Sequence, residues 1–507
     1  MGLRKALSDL DRTRVMNPFT TNNARLLSDE QLVKTHEASM EILQQVGMEV
    51  HNETARELYA RHGCEVDSET LRVRFPPKVI KEAIDSIPPT FTFYARNPDY
   101  DRTVPEDGPL VMTASSAPRV LDPVTRQERS ATTEDIARIA RLVDRLEGID
   151  LFSVSVLALD APPGQNCLSR FYTALKHCSK PVRGSGEVGS GSVREECENV
   201  LRMAYTIAGG EGAYRDHPFI THHYCPVISP LKMDEDSTEL LMYYAEKELP
   251  AHHSIVPNAG LSSPLTLAGT LAQGNAEYLG AAALSQMVRP GTPLLYSYLP
   301  TVGDMRSGAY ASGGIECGIL NMAFAQMARF YNIPCSGYIG LTNSKLVDAQ
   351  AGYEKGLSCM GGLLAGMDVL QFAGLIDALL TFDYGMAVID NEISLMLKRV
   401  ARGMEVSEEN ISLDEISQVG PGSMFLETEQ TFARMEDTAL FPDVADRDTR
   451  QTWEEKGGHD AWGKSLLVAK EIIERQGLSY FSPEVDAEIR SQFEDMVPGE
   501  VLIPEGW

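Results

Sequence analysis

Two histidine pairs, His222-His223 and His252-His253, one carboxylate, Glu187, and a scattering of tyrosines are the residues of this chain best suited to chemistry. Imidazole nitrogen and carboxylate oxygen suit zinc or iron, so one histidine from each pair with Glu187 would make a two-histidine, one-carboxylate metal site. The adjacent spacing limits that option. On a strand, successive side chains point to opposite faces, so each pair aims only one imidazole at a common interior. Satisfied core histidines are the plainer reading. The aromatic residues suggest a different chemistry. Tyr224, Tyr296, Tyr298, Tyr338 and Phe372 sit at the ends of apolar runs, with Tyr94 before them and Tyr310 among them. Rings that converge on one mouth present their negative faces to a quaternary ammonium ion, each good contact worth roughly 0.5–2 kcal/mol. Tyr296 and Tyr298 share one face of a strand and are expected in such a cage, unless the rings simply fill layers of a core.

Positioning these residues falls to eight short apolar runs at helix-plus-strand spacing. They predict strands at Leu110–Ser115, Leu151–Leu157, Pro181–Gly186, Pro218–Tyr224, Ala251–Pro257, Pro293–Tyr298, Pro334–Ile339 and Asp368–Phe372, with helical patterns between them. The rhythm is that of an α/β protein with a (β/α)8 TIM-type barrel, whose active site is built by the loops after the strands. At 507 residues the chain exceeds one barrel of ~250 residues. The surplus is expected as an N-terminal helical and α+β subdomain (1–107), ahead of a catalytic barrel (108–400), and an acidic, mostly helical C-terminal extension (401–507) packed on it. Helix starts are well marked: Ser28-Asp29-Glu30-Gln31 opens a helix to Val46, and Thr132-Thr133-Glu134-Asp135 and Asp234-Glu235-Asp236-Ser237 cap two more.

Composition narrows the function classes. With 45 basic against 72 acidic residues the net charge is −27, which argues against a nucleic-acid or anionic-membrane surface and suits a cationic ligand. The eight cysteines are scattered, with no C-x-x-C pair, so neither a disulfide framework nor a cysteine zinc ribbon is indicated, and a reduced cytoplasm fits. No signal stretch is evident; the apolar segment Gly361 to Phe382 is interrupted by Asp368, Gln371 and Asp377, and Ala6 stands where a myristoylation signal needs Ser or Thr. No membrane association is expected.

Two local patterns need weighing. Gly184-Ser-Gly186-Glu-Val-Gly189 matches the dinucleotide fingerprint G-x-G-x-x-G, but it falls in the third unit of a barrel pattern, where tight turns explain its glycines. The segment from Leu341 to Lys355 is more distinctive: Asp348 is placed to cap a helix, and Gln350 and Glu354 stand one turn apart on one face. Capping and packing alone could account for it.

That segment, Asn343-Ser-Lys345…Asp348-Ala-Gln-Ala-Gly-Tyr-Glu-Lys355, together with Val388-Ile-Asp-Asn-Glu-Ile393, Gly291-Thr-Pro293 and the Trp453…Gly457 region, resembles the trimethylamine:corrinoid methyltransferase family. The resemblance runs from about Leu27 to Ala469. It implies a (β/α)8 enzyme that moves a methyl group from a methylated amine to the cobalt of a separate corrinoid protein. The methanogen enzymes carry pyrrolysine at the barrel mouth; here the corresponding stretch, near Ile339–Thr342, holds ordinary residues. That is similar to the non-pyrrolysine branch, whose substrates are quaternary amines, glycine betaine the commonest.

The chemistry agrees with the missing residue. A tertiary amine leaves badly and needs an electrophile or a proton, whereas a quaternary nitrogen departs as a neutral amine. The resemblance therefore implies an enzyme that holds the cation with one methyl in line, excludes water and admits the corrinoid domain. Glu187 and the rings would orient the ammonium; Asn343, Thr342, His222 and His253 are candidate donors to a betaine carboxylate, and Gln371 is a further candidate substrate contact. Without a D-x-H-x-x-G run, the chain is expected to bind no cobalamin tightly and to meet it on its partner. Barrels of this size often self-associate, so a homo-oligomer is compatible with the sequence. The alternatives are a metal-dependent barrel hydrolase using one histidine of each pair with Glu187, and a quaternary-amine binding protein without turnover.

Overall fold

A computed structural model describes residues 24–186, 193–475 and 480–507. Eight parallel strands are hydrogen-bonded in one sheet: β1 (Leu110–Thr113), β2 (Phe152–Ser153), β3 (Val182–Ser185), β4 (Ile220–Tyr224), β5 (Ala251–Ile255), β6 (Tyr296–Tyr298), β7 (Cys335–Tyr338) and β8 (Val369–Ala373). Neighbours follow chain order, with β8 beside β1, and bridges from Met112 to Leu151 and from Ala117 to Val156 close β1 onto β2. The result is the expected α/β barrel. A helix follows each strand: α1 (Thr133–Arg145), α2 (Asn166–His177), α3 (Val193–Ala208), α4 (Glu235–Glu246), α5 (Leu267–Val288), α6 (Ile315–Phe330), α7 (Ala349–Leu364) and α8 (Tyr384–Arg402).

The helix starts use the residues the sequence offers. Thr132 and Asp135 form a capping box on α1, Asp234 accepts from Ser237 N at α4, and Asp348 accepts from Ala351 N at α7. Ser28 and Gln31 cap Asp29–Glu41, which runs on as a π-helical turn, Ile42–Val46.

The barrel is closed from below and widened on one side by the N-terminal segment. The hairpin of Phe91–Phe93 and Arg102–Val104 places Phe91, Phe93 and Val104 against Leu110, Met112, Leu151, Leu295 and Val369, an apolar plug at the strands' N-terminal end. On the outside, Ser39 Oγ donates to Ala272 O at 2.9 Å and Tyr59 OH to Gly280 O at 2.9 Å, so α5 is covered by helices as well as by the barrel. That explains why α5 is apolar almost all round, whereas a surface helix would keep a polar face. C-terminal to α8, Ala461–Glu474 packs back on the barrel, with Trp462 Nε1 donating to Asp383 at 3.1 Å.

A buried ion pair joins these layers. Lys355 of α7 and Asp390 of α8 are fully buried, their charges 3.0 Å apart; Lys355 also donates to Phe372 O at 3.0 Å, and Asp390 accepts from Gly374 N at 2.8 Å. The pair fixes the C-terminal end of β8 between two helices. Removing one member leaves an uncompensated buried charge, so Lys355→Met is expected to cost about 3–5 kcal/mol in chemical denaturation, with the added change Asp390→Leu restoring most of it. A single variant as stable as wild type would contradict this.

Burial raises the Asp383 carboxyl to about 6, against hydrogen bonds from Met386 N, Trp462 and Gly385 N. A carboxyl raised on folding contributes most below its ordinary value near 4 and loses that contribution as pH climbs through about 6. Asp383→Asn keeps the helix cap without the titration. Its stability relative to wild type should rise between about pH 4 and pH 6 by about 3 kcal/mol, and a pH-independent difference would refute the assignment.

Candidate active site

Above the apolar plug the barrel interior turns polar. Its centre is Arg183 on β3, 1% exposed. The guanidinium donates from Nε to Ser153 Oγ at 3.1 Å, and from Nη2 to Ser153 Oγ and Ser115 Oγ at 2.9 Å and to Tyr338 OH at 2.8 Å. Nη1 lies 3.4 Å from His252 Nδ1. No carboxylate among the described residues forms an ion pair with it. His252 reaches Ser297 Oγ at 2.7 Å through Nε2, and His223 lies between Ser185 Oγ at 3.1 Å and Ser254 Oγ at 3.0 Å. Gln371 of β8 contacts Ser336 Oγ at 2.5 Å and His252 Nε2 at 3.3 Å. Seven strands, β2 to β8, thus contribute hydroxyl, amide or imidazole groups around one cation.

Electrostatics fix the protonation states. Burial, the Arg183 charge and the neighbouring imidazoles hold His223 and His252 well below the ordinary histidine range, so both are neutral near pH 7. Burial pushes the Cys225 thiol, just past β4, up to about 11 against the pull of Arg183. Burial also raises the Tyr310 hydroxyl, and the Tyr310 carbonyl, in the loop after β6, accepts from the Asn343 side chain at 2.8 Å.

The strand pleat divides the predicted site residues. Tyr338 and Gln371 face the interior beside Arg183. The expected cage does not form around Tyr296 and Tyr298: both point outward, Tyr296 donating to Asn275 Oδ1 of α5 at 2.5 Å and Tyr298 stacked on Phe324 of α6 at 3.7 Å. Between them, Ser297 takes the interior position. Bulky rings fit the layer between strand and helix; the narrow interior takes the small residue.

Parity likewise decides the histidine pairs. His222 is stacked on Tyr244 of α4 at 4.5 Å and His253 lies 2.6 Å from Tyr224 OH, so His222, His253 and Tyr224 occupy the outer layer, and His223 and His252 are the interior members. Burial lowers His222 and His253 to about 3, as expected of neutral packing groups. The interior pair open to the metal reading is therefore His223 and His252, and the Arg183 charge beside His252 is the wrong sign for a dication. Phe372 also points outward, under Lys355. Tyr94 lies at the opposite end of the barrel, against His217 in the loop before β4. Glu187, with the second half of the glycine pattern, lies outside the described residues. Gly184 itself has a packing reason, because a Cβ there would meet the Phe171 ring at 2.5 Å.

Thr342 and Asn343 hold the mouth together rather than facing the interior. Thr342 Oγ1 donates to Glu354 Oε2 at 2.6 Å, which also accepts from Asn343 N at 2.9 Å. The Asn343 side chain accepts from Gly313 N at 2.7 Å and donates to Tyr310 O at 2.8 Å, tying the loop after β7 to the loop after β6. The residue that sequence reading missed is Arg183. Its signal was a single charge inside the short strand pattern Pro181-Val-Arg-Gly-Ser-Gly186, in a sheet type buried on both faces.

The family model for trimethylamine methyltransferase (MTTB) matches residues 4–499. The chain belongs to this methyltransferase family. It is 30% identical over 468 residues to a trimethylamine methyltransferase of Desulfitobacterium hafniense, covering 92% of this chain and 93% of that protein. It is 31% identical over 478 residues to a glycine betaine methyltransferase from another strain of that species, covering 93% and 96%. A trimethylamine methyltransferase of Methanosarcina thermophila is 32% identical over 440 residues, 86% and 90% of the two chains. The segments that carried the family resemblance are structural pegs in this methyltransferase. Glu354, Lys355 and Asp390 tie the loops after β7 and β8 to α7 and α8, and Asn391 accepts from Gly148 N at 2.7 Å.

Because Tyr298 is a packed outer ring, Tyr298→Ala is expected to lower stability by about 3–5 kcal/mol through the cavity it leaves. At a temperature where the variant remains folded, substrate KM should stay within about twofold of wild type; a large KM rise without destabilisation would return this ring to the site.

Proposed function

We propose that this protein transfers a methyl group from a quaternary amine, glycine betaine first among the candidates, to the Co(I) corrinoid of a separate corrinoid protein, releasing the tertiary amine. Family membership supports the reaction class, and the neutral imidazoles of the interior carry the choice of amine. His223 and His252 are held well below the range in which they could protonate a leaving group at pH 7. A tertiary amine would need such help, whereas a quaternary nitrogen takes the electron pair of the breaking C–N bond and leaves uncharged. The stretch after β7 offers no electrophile either: Leu341 and Thr342 are buried, and the Thr342 hydroxyl is committed to Glu354.

Co(I) supplies the nucleophile, forming the Co–C bond as the C–N bond breaks. The protein's own residues bind the cation, set one methyl in line and exclude water. Tyr338 and the His223 ring, 6.4 Å apart between centroids, are the aromatic groups proposed to face the cation, with Tyr310 in the loop after β6 as a further candidate. The corrinoid domain would dock over the C-terminal ends of the strands, where the net charge of −27 favours a basic approach surface. Eight cysteines without a disulfide among them fit a reducing cytoplasm, and no helix among the described residues is long and apolar enough to cross a membrane.

Incubation with cob(I)alamin, then with the cognate corrinoid protein, and a panel of quaternary and tertiary amines tests the reading. The expected result is methylcob(III)alamin and dimethylglycine from glycine betaine, with no reaction from trimethylamine. Demethylation of trimethylamine alone, or silence across the panel with folded protein and corrinoid partner present, would overturn it.

A further inference from the structure

Several hydrogen-bond donors around Arg183 are left without an acceptor among the described residues. Arg183 can only donate, so His252 Nδ1 accepts from it and the proton of the neutral ring sits on Nε2, facing Ser297. That leaves no lone pair for the Gln371 amide nitrogen 3.3 Å away. Turning the amide by half a rotation gives its oxygen to His252 and Ser336, and places its NH2 where the buried Oε1 has no partner among the described residues. Either way one end of this fully buried amide is unpaired.

The hydroxyls tell the same story. Ser153 Oγ accepts two guanidinium bonds, which leaves its own proton to be donated. Ser115 and Tyr338 each accept from Arg183 and lie 3.0 Å apart, so one O–H serves the pair and the other is left over. Nη1 has two N–H groups and the single long contact to His252. A full positive charge ringed by surplus O–H and N–H donors, with neutral imidazoles and no paired carboxylate among the described residues, is the chemistry of an anion site.

We propose that Arg183 anchors the carboxylate of a zwitterionic quaternary amine, so that the barrel selects betaines over cations without an acid group. This rests on the quaternary-amine reading above. Arg183 is paired in register with Ser153 and Thr221, one layer below Ser185, His223 and His252. A carboxylate drawn to that depth leaves the ammonium end toward the strand C-termini, with Tyr338 and Tyr310 beside it and a methyl group facing the incoming corrinoid. The short span of glycine betaine, one methylene between acid and ammonium, suits a carboxylate and a cation held in adjacent layers.

The test compares glycine betaine with tetramethylammonium, which has the quaternary nitrogen alone, by calorimetric binding and by methyl transfer. Wild type should bind glycine betaine and bind tetramethylammonium at least tenfold more weakly. Arg183→Gln should weaken betaine binding roughly 30-fold or more and leave the weak tetramethylammonium binding unchanged, with Arg183→Lys intermediate because it keeps the charge without the planar fork. Thermal stabilisation of the wild-type protein by the two ligands reads the same preference if Arg183→Gln does not fold, and Tyr338→Phe, which keeps the charge, should cost about threefold to tenfold in betaine affinity. Equal binding of both ligands by wild type, or betaine binding by a folded Arg183→Gln within threefold of wild type, would overturn the anchor. Transfer from tetramethylammonium as fast as from betaine would do so while sparing the methyltransferase reading. Arg183-dependent betaine binding without transfer to the corrinoid protein would sink that reading and leave the anchor standing.

Discussion

A guanidinium charge buried at the centre of a closed barrel is the constraint around which the interior is arranged. Taking such a charge out of water costs several kcal/mol unless its donors are met. Here Nε and Nη2 are met by neutral oxygens, those of Ser115 just beyond β1, Ser153 on β2 and Tyr338 on β7, while Nη1 has only its long contact to His252. The charge also keeps the neighbouring imidazoles uncharged, since a second cation in the same dry layer would add repulsion to desolvation. Interior polarity is therefore a consequence of Arg183, and the apolar plug beneath it separates that layer from the barrel's lower end.

The barrel mouth is held by a second set of buried polar contacts. Glu354 gathers Thr342 and the Asn343 backbone; the next residue, Lys355, pairs with Asp390 and holds the end of β8. Adjacent residues on α7 thus fix the loops after β7 and β8, the strands that bring Tyr338 and Gln371 to Arg183. Such contacts favour one geometry more than they add net stability, because a buried ion pair gains little over apolar packing. For an enzyme that must align one methyl group with an external nucleophile, a fixed mouth is the useful property.

Much of the fold was legible in the sequence. All eight strands fall within or beside the apolar runs that announced them, because a parallel sheet covered on both faces needs continuous apolar sequence and helix caps need particular side chains at particular places. The Leu341–Lys355 segment showed its importance without showing its role: Thr342 and Asn343 are the right donors, yet their partners are Glu354, Gly313 and Tyr310 rather than a ligand.

The sequence by itself determined the barrel, its helix starts, the family and the stock of hydroxyl, imidazole and aromatic groups at the strand ends. Only the tertiary structure decided which of them face inward. A strand alternates faces with every residue, and when both faces are buried, composition does not mark the parity. Closure of the sheet does: it leaves a narrow interior that takes Ser297, His223 and His252, and sends Tyr296, Tyr298, His222 and His253 to the roomier layer beneath the helices, where rings pack against rings. The same closure converts Arg183 from a lone charge in a short strand into the centre of the site, because seven other strands surround it.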